Sequence, residues 1–233
     1  MKVLALDTSS LVAGVAIMDD DRLIAEYNLN HKKTHSQKLM PMIMDIMKSV
    51  ELTPKDIDVY AASSGPGSFT GLRIGITTVK AIAYSLNKPV VGVPTLDALA
   101  YNIPMTQSII CPIMDARNNQ VYTAIYKWDN TVLDRQSEYM GIPVAELVSR
   151  IKERAESVVF VGDGVPVYKD FLIGELGERC GFAPANLQLQ KGASVAKAAI
   201  DKINKGLTES PFDMVPFYLR KSQAERMMEM KTC

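Results

Sequence analysis

The chain of 233 residues has only three cysteines, two histidines and no excess of either charge. Cys111, Cys180 and Cys233 are odd in number and far apart. Neither a disulfide framework nor a cysteine-rich zinc site is therefore expected, and a reducing, cytoplasmic setting is. His31 and His35 are four apart, a spacing that would place two imidazoles on one helical face, but no acid lies among Lys32, Lys33 and Thr34 to add a ligand. No Ser-His-Asp or Cys-His set can be nominated from spacing. The 26 basic residues are matched by 26 acidic ones. That balance argues against a surface that grips a polyanion throughout, because such binding rests on unbalanced Lys and Arg. No apolar run reaches the length of a membrane span. Asp7 interrupts the first apolar run, so no signal peptide is expected.

What is present is the composition of a folded domain: 47% of residues are hydrophobic and 22% charged. Apolar runs at 3–6, 14–18 and 23–29, separated by Asp7-Thr8-Ser9-Ser10 and Asp19-Asp20-Asp21, predict three strands. A helix is expected over 36–50 with Ser36 as its N-cap. A fourth strand follows over 57–63, a second helix over 69–86, a fifth strand over 89–93, and a short helix capped by Thr95 and reaching Tyr101. The second half begins again, with strands over 109–114, 121–128 and 132–139, and a helix over 143–156 that has proline in its first turn. A strand over 158–161 and helices over 167–176 and 194–204 complete it. The letters do not repeat, but the order of elements does. Asp115 stands where Asp7 stood, and Gly162 where Gly65 stood.

Three meandering strands followed by strands joined through helices make a mixed sheet with helices on both faces. Two such units, over 1–105 and 106–233, predict an α/β fold. It is a two-lobed, ribonuclease-H-like duplication of a βββαβα unit, as in actin, Hsp70 and the sugar kinases. The C-terminal segment is a candidate to pack back on the first lobe. Element order carries no activity with it.

The run Gly65-Pro66-Gly67-Ser68-Phe69-Thr70-Gly71 has the look of a phosphate loop but fits neither the dinucleotide nor the P-loop pattern. It reads either as a tight strand-to-helix turn or as an anion site at a helix N-terminus assisted by Arg73. Asp7, Ser9 and Asp115 are candidates to face a nucleotide in the cleft between lobes. Their turns lack glycine, however, so backbone amides cannot approach phosphates closely, and degraded or absent nucleotide binding is expected. Gly162 and Gly164 either seat an adenosine or make an ordinary turn. In the first helix Leu39, Ile43, Ile46 and Val50 form one stripe, with Met40, Met44 and Met47 beside it. That face is wider than a half-buried helix requires, and Pro41 should kink it. It suits either deeper burial or a surface for a partner helix. The second helix adds Leu72, Ile76, Val79, Ile82 and Leu86, with Gly75 permitting close approach.

Several blocks in order carry a family resemblance over nearly the whole chain. They are Leu4-Ala5-Leu6-Asp7-Thr8-Ser9, His35-Ser36 with Leu39 and Pro41, Ser64-Gly65-Pro66-Gly67-Ser68-Phe69-Thr70-Gly71-Leu72-Arg73-Ile74-Gly75, Gly92-Val93-Pro94-Thr95-Leu96, Asp115-Ala116-Arg117 with Val121-Tyr122, and Pro216-Phe217-Tyr218-Leu219-Arg220. Together they resemble the TsaB (YeaZ) family. The resemblance implies a bacterial, non-catalytic subunit required to form threonylcarbamoyladenosine beside the anticodon of tRNAs that read codons beginning with adenine. A synthase makes threonylcarbamoyl-adenylate, TsaD transfers the group, and TsaB pairs with its paralogue TsaD. The ATP-binding TsaE joins the pair, and TsaB alone forms a homodimer. TsaD binds its metal through a helical histidine pair that has no match here, so no metal and no certain cofactor are implied. The family's pairing surface maps onto His35, Leu39, Met40, Ile43, Met44, Met47, Gly75, Ile76 and Val79. Contact with tRNA would be indirect, through the complex, with Lys32 and Lys33 at most assisting, and no membrane is involved. The competing classes are a small-molecule kinase or ATPase of the same fold, which would bind magnesium-ATP alone, and a metallopeptidase.

Overall fold

The structure, a computed structural model, describes residues 1–31 and 35–220; Lys32, Lys33 and Cys233 lie outside them. The first lobe comprises β1 (Lys2–Asp7), β2 (Val12–Asp19), β3 (Arg22–Asn30), α1 (His35–Ser49), β4 (Val59–Gly65), α2 (Phe69–Ser85), β5 (Val90–Pro94) and α3 (Thr95–Ala100). Its sheet runs β3-β2-β1-β4-β5, with β1 antiparallel to β2 and parallel to β4. Val3 to Leu6 of β1 are all apolar because both faces of the strand are covered. Leu4 and Leu6 meet α1 and α2 on one side, while Val3 and Ala5 meet the last helix of the chain on the other.

The second lobe comprises β6 (Ile109–Asp115), β7 (Gln120–Thr123), β8 (Tyr126–Asp129), β9 (Val132–Arg135), β10 (Met140–Pro143), α4 (Val144–Lys152), β11 (Val158–Val161), α5 (Val165–Leu176), β12 (Cys180–Phe182) and α6 (Gly192–Asn204). Its main sheet runs β10-β7-β6-β11-β12 and so repeats the first order position by position. This is the duplicated architecture that the element order predicts. The strand expected over 121–128 is broken after Thr123. Ile125 N–H takes the Ser137 hydroxyl (2.9 Å) and Ile125 C=O the Gln136 amide (2.7 Å), so two loop residues replace the ladder there. The partner strand breaks likewise, β9 pairing with β8 and β10 with β7. β12 went unpredicted because Cys180-Gly181-Phe182 is too short to show a pattern. Two cap assignments also shift. α1 already begins at His35, ahead of Ser36, and Pro94 rather than Thr95 holds the cap of α3.

The closing helix of each lobe lies between the two sheets. α6 packs Val195, Ala196 and Ala199 on Val3 and Ala5 of the first sheet. α3 packs Leu96, Leu99 and Ala100 on Ile110, Met114 and Val161 of the second. Polar struts cross the same seam. Asp97 accepts from the Tyr126 and Tyr139 hydroxyls (2.6 and 2.9 Å), and burial pushes its carboxyl above the ordinary range. Asn102 donates to the Leu187 and Leu189 carbonyls.

After α6 the chain returns along the first lobe as a strap. Glu209 exchanges both backbone hydrogen bonds with Val90, and Lys80 donates to the Phe212 and Met214 carbonyls. Met214 is buried in the first lobe's core. Phe217 N–H donates to Ser64 C=O (2.7 Å), and Arg220 reaches the second lobe at Ala116 C=O. Among the described residues no helix is long and apolar enough to cross a membrane.

Candidate functional site

The lobes enclose a cleft of about 1040 Å³, walled by the β1–β2 turn, the α2 N-terminus, the β6–β7 turn and the end of the strap. On the first-lobe side, Asp7 is fully buried. Its Oδ1 accepts from Ser9 N–H (2.9 Å) and the Ser9 hydroxyl (2.7 Å), and its Oδ2 accepts from the Ser63 hydroxyl. Burial raises its carboxyl above the ordinary range while these donors pull it back. Asp7 and Ser9 are thus brought together, but the bonds join them to each other and to β4.

The glycine block is explained by the protein's own backbone. A Cβ at Gly71 would lie 2.0 Å from Thr8 C=O, one at Gly67 2.5 Å from Ser9 C=O, and one at Gly65 2.2 Å from Phe217 C=O. Gly75 lies equally tight on the Thr8 hydroxyl (2.4 Å). Ser68 N–H donates to Ser9 C=O (2.7 Å), and the Thr8 hydroxyl donates to Gly71 C=O (2.8 Å). The first turns of α2 are therefore sewn onto the β1–β2 turn. The Cβ side of these glycines is filled by the protein's own chain, which fits the turn reading of Gly65-Pro66-Gly67, while Pro66, Gly67 and Ser68 also line the cleft. Arg73 turns away from the cleft. Its guanidinium lies 3.9 Å from the Phe69 ring centroid, and its Nε donates to Tyr218 OH.

The second-lobe side is more open. Asp115 is exposed and accepts from Arg117 N–H (2.9 Å) and Tyr168 OH (3.0 Å). Arg117, Asn118 and Asn119 all adopt positive φ, a polar turn without glycine. Gly162 has a φ of 113°, and a Cβ there would lie 2.3 Å from Ile113 C=O, so it serves the close approach to β6. Gly164 donates to the same carbonyl and is the N-cap of α5. Between them Asp163 faces the cleft, its Oδ1 buried and without a partner among the described residues. Burial, with Asp115 and Asp7 nearby, pushes its carboxyl up to about 6. The sequence marks the two glycines as candidates and carries no signal for the acid between them. Among the described residues no three His, Cys, Asp or Glu side chains gather to hold a metal. His31 is exposed, and His35 Nε2 pairs with Ser10 C=O (2.7 Å) at the cleft edge. The buried Cys111 thiol is pushed up to about 12 by desolvation, which removes it as a nucleophile near neutrality.

The other candidate region is the outer face of the first lobe. Leu39, Ile43, Met47, Ile76 and Val79 are buried in the core beneath it, and Gly75 is covered by Thr8. Met40 and Met44 project outward, 44% and 65% exposed. Between α1 and α2 runs a groove of about 870 Å³ walled by Met40, Phe69, Ile74 and Ile82, with the small residues Thr77 and Ala81 along its α2 edge. Phe69, Ile74 and the buried Met42 were not among the expected surface or core residues. The helical stripes marked apolar positions without showing which side of α1 would turn outward.

Comparison with known proteins gives consistent results. The family described as TsaD, tRNA N6-adenosine threonylcarbamoyltransferase, matches residues 22–228. A Bacillus subtilis (strain 168) protein named tRNA threonylcarbamoyladenosine biosynthesis protein TsaB is 32% identical over 225 residues, covering 97% of this chain and 96% of its own. The Escherichia coli (strain K12) protein of the same name is 30% identical over 241 residues, covering 99% of this chain and 100% of its own. A solved Pseudomonas aeruginosa structure described as YeaZ superposes with a TM-score of 0.79 at 25% identity, over 94% of this chain and 99% of that one.

Proposed function

The chain belongs to the TsaB (YeaZ) family, and from that premise we propose that it is the non-catalytic subunit of a tRNA threonylcarbamoyladenosine-forming complex. In this reading it heterodimerises with a TsaD transferase through the outer face of α1 and α2 and so supports transfer to tRNAs reading codons that begin with adenine. TsaE joins the pair, tRNA is met through the complex, and the work is done in the cytoplasm. The observation that carries the reading is the exposed Met40 on the wall of the α1–α2 groove, with the exposed Met44 one turn further along α1. Burying one such side chain contributes about 1.5–3 kcal/mol, and methionine adapts to irregular contacts. The backbone contacts that Gly65, Gly67 and Gly71 serve and the internal bonding of Asp7 support a subunit without phosphotransfer chemistry. The same face is open to a second copy, so homodimerisation competes with TsaD.

A small-molecule kinase or ATPase is the second reading. It draws on Asp163, whose unpartnered oxygen lies beside Asp115 in the cleft, and it requires magnesium-dependent ATP binding by the isolated chain. The pairing reading is tested by calorimetric titration with TsaD. Met44→Lys should lower affinity at least tenfold, about 1.4 kcal/mol, because it sets a charge in the contact. The thermal midpoint should stay put, since Met44 is exposed. Unchanged affinity would remove the proposed face.

A further inference from the structure

A second groove, about 580 Å³, lies on the other flank of α2, between that helix and the strap. Tyr84, Phe212 and Val215 wall it and are 63%, 71% and 66% exposed. Arg73, Thr77 and Ala81 wall both grooves, so α2 is a low ridge between two apolar channels. The two channels meet at Phe69, Arg73 and Tyr218, where the rings stack with centroids 4.8 Å apart. The ridge is also basic. Among the described residues neither Arg73 nor Lys80 makes an ion pair, and Lys80 is held only by the Phe212 and Met214 carbonyls.

We infer that the pairing surface crosses α2 onto the strap, and that the strap groove takes from the TsaD partner an apolar segment flanked by carboxylates. This rests on the pairing reading above, which placed contact on the α1–α2 side alone. Charge decides between TsaD and a second copy as occupant. A two-fold contact carried across α2 into the strap groove would set Arg73 and Lys80 against the same residues of the other copy, and like charges at an interface oppose association, so self-association stays on the α1 side. A partner of different sequence escapes that repulsion when it offers acids to the ridge.

Val215→Glu tests the assignment, because the residue is exposed and makes no side-chain hydrogen bond, so the fold survives the change. The variant should bind TsaD at least tenfold more weakly in calorimetric titration. Val215→Lys, bringing a base to the carboxylates, should lose less than Val215→Glu. Self-association of both variants, by sedimentation, should stay within twofold of the unaltered chain. If Val215→Glu binds TsaD as the unaltered chain does while Met44→Lys does not, the groove lies outside the contact and the inference falls, with the pairing reading intact. Loss of self-association equal to loss of TsaD binding would assign the groove to a second copy and overturn it. If neither Val215→Glu nor Met44→Lys alters binding, the pairing reading falls and takes this one with it.

Discussion

The two lobes share one topology and treat it in opposite ways. In the first, the strand-ending acid is sealed, with Asp7 bonded to Ser9 and Ser63, and three glycines let α2 and the strap press backbone against the turns. In the second, the matching Asp115 is exposed on an open polar turn and Asp163 keeps an oxygen without a partner. The outer helices differ too. α4 is closed by ion pairs, Arg150 with Glu146 (2.8 Å) and Lys152 with Glu175 of α5 (2.6 Å), whereas α1 and α2 leave methionines beside an open groove. α5 does expose Val167, Phe171 and Ile173, but with Lys169, Asp170 and Glu175 interspersed. One folding unit has thus bound its strand-ending acid into internal packing, and its duplicate leaves the matching acid open to the cleft.

The sharpest way to break this contrast is Gly71→Ala. The new methyl would meet Thr8 C=O, a backbone atom that cannot swing aside, and should cost about 3 kcal/mol in thermal unfolding. Little change would mean that the seam between α2 and the β1–β2 turn is loose. Asp7→Ala strands the Ser9 amide and two buried hydroxyls and should also cost about 3 kcal/mol. Asp115→Ala, at the exposed equivalent, should stay within about 0.5 kcal/mol. Equal effects of the two would erase the distinction between a sealed and an open turn.

Asp163→Asn should stabilise the fold at pH 7 by about 2 kcal/mol. Its folded carboxyl titrates near 6, above its unfolded value, so the folded state holds a proton that the unfolded state has released. The unaltered chain therefore loses stability as pH rises from about 4 to about 6. The benefit of the asparagine should vanish near pH 4, and a pH-independent difference in denaturant midpoints would contradict this origin. A smaller effect, opposite in sign to that of Gly71→Ala, is expected of Gly174→Ala in α5. No atom lies within 4 Å of the added methyl, so the change should give a gain of up to about 1 kcal/mol.

Much of the fold was legible because strand and helix periods differ and Asp7 and Asp115 mark equivalent turns. The broken pair of strands was not, since the break depends on Gln136 and Ser137 bonding to Ile125 from a neighbouring loop. The candidate site was harder to read. Glycine is required equally where a phosphate approaches and where a neighbouring backbone does, so the letters of the glycine block cannot separate the two. Thr8, Ser9 and Phe217, which decide the matter, come from elsewhere in the chain. Asp163 was hidden for a similar reason, because its burial, and then the charge of Asp115, come from packing against distant parts of the chain. On α1, Met40 and Met44 were legible as apolar, and their exposure became visible only with the direction of the core.

The central claim, that this chain supports a transferase through the outer face of its first lobe, is most directly tested by reconstituting tRNA modification from TsaD, TsaE and the threonylcarbamoyl-adenylate synthase. Threonylcarbamoyladenosine should form when the chain is added, and should fall toward the level without it when Met44→Lys is added instead. Equal product with and without the chain would contradict the account.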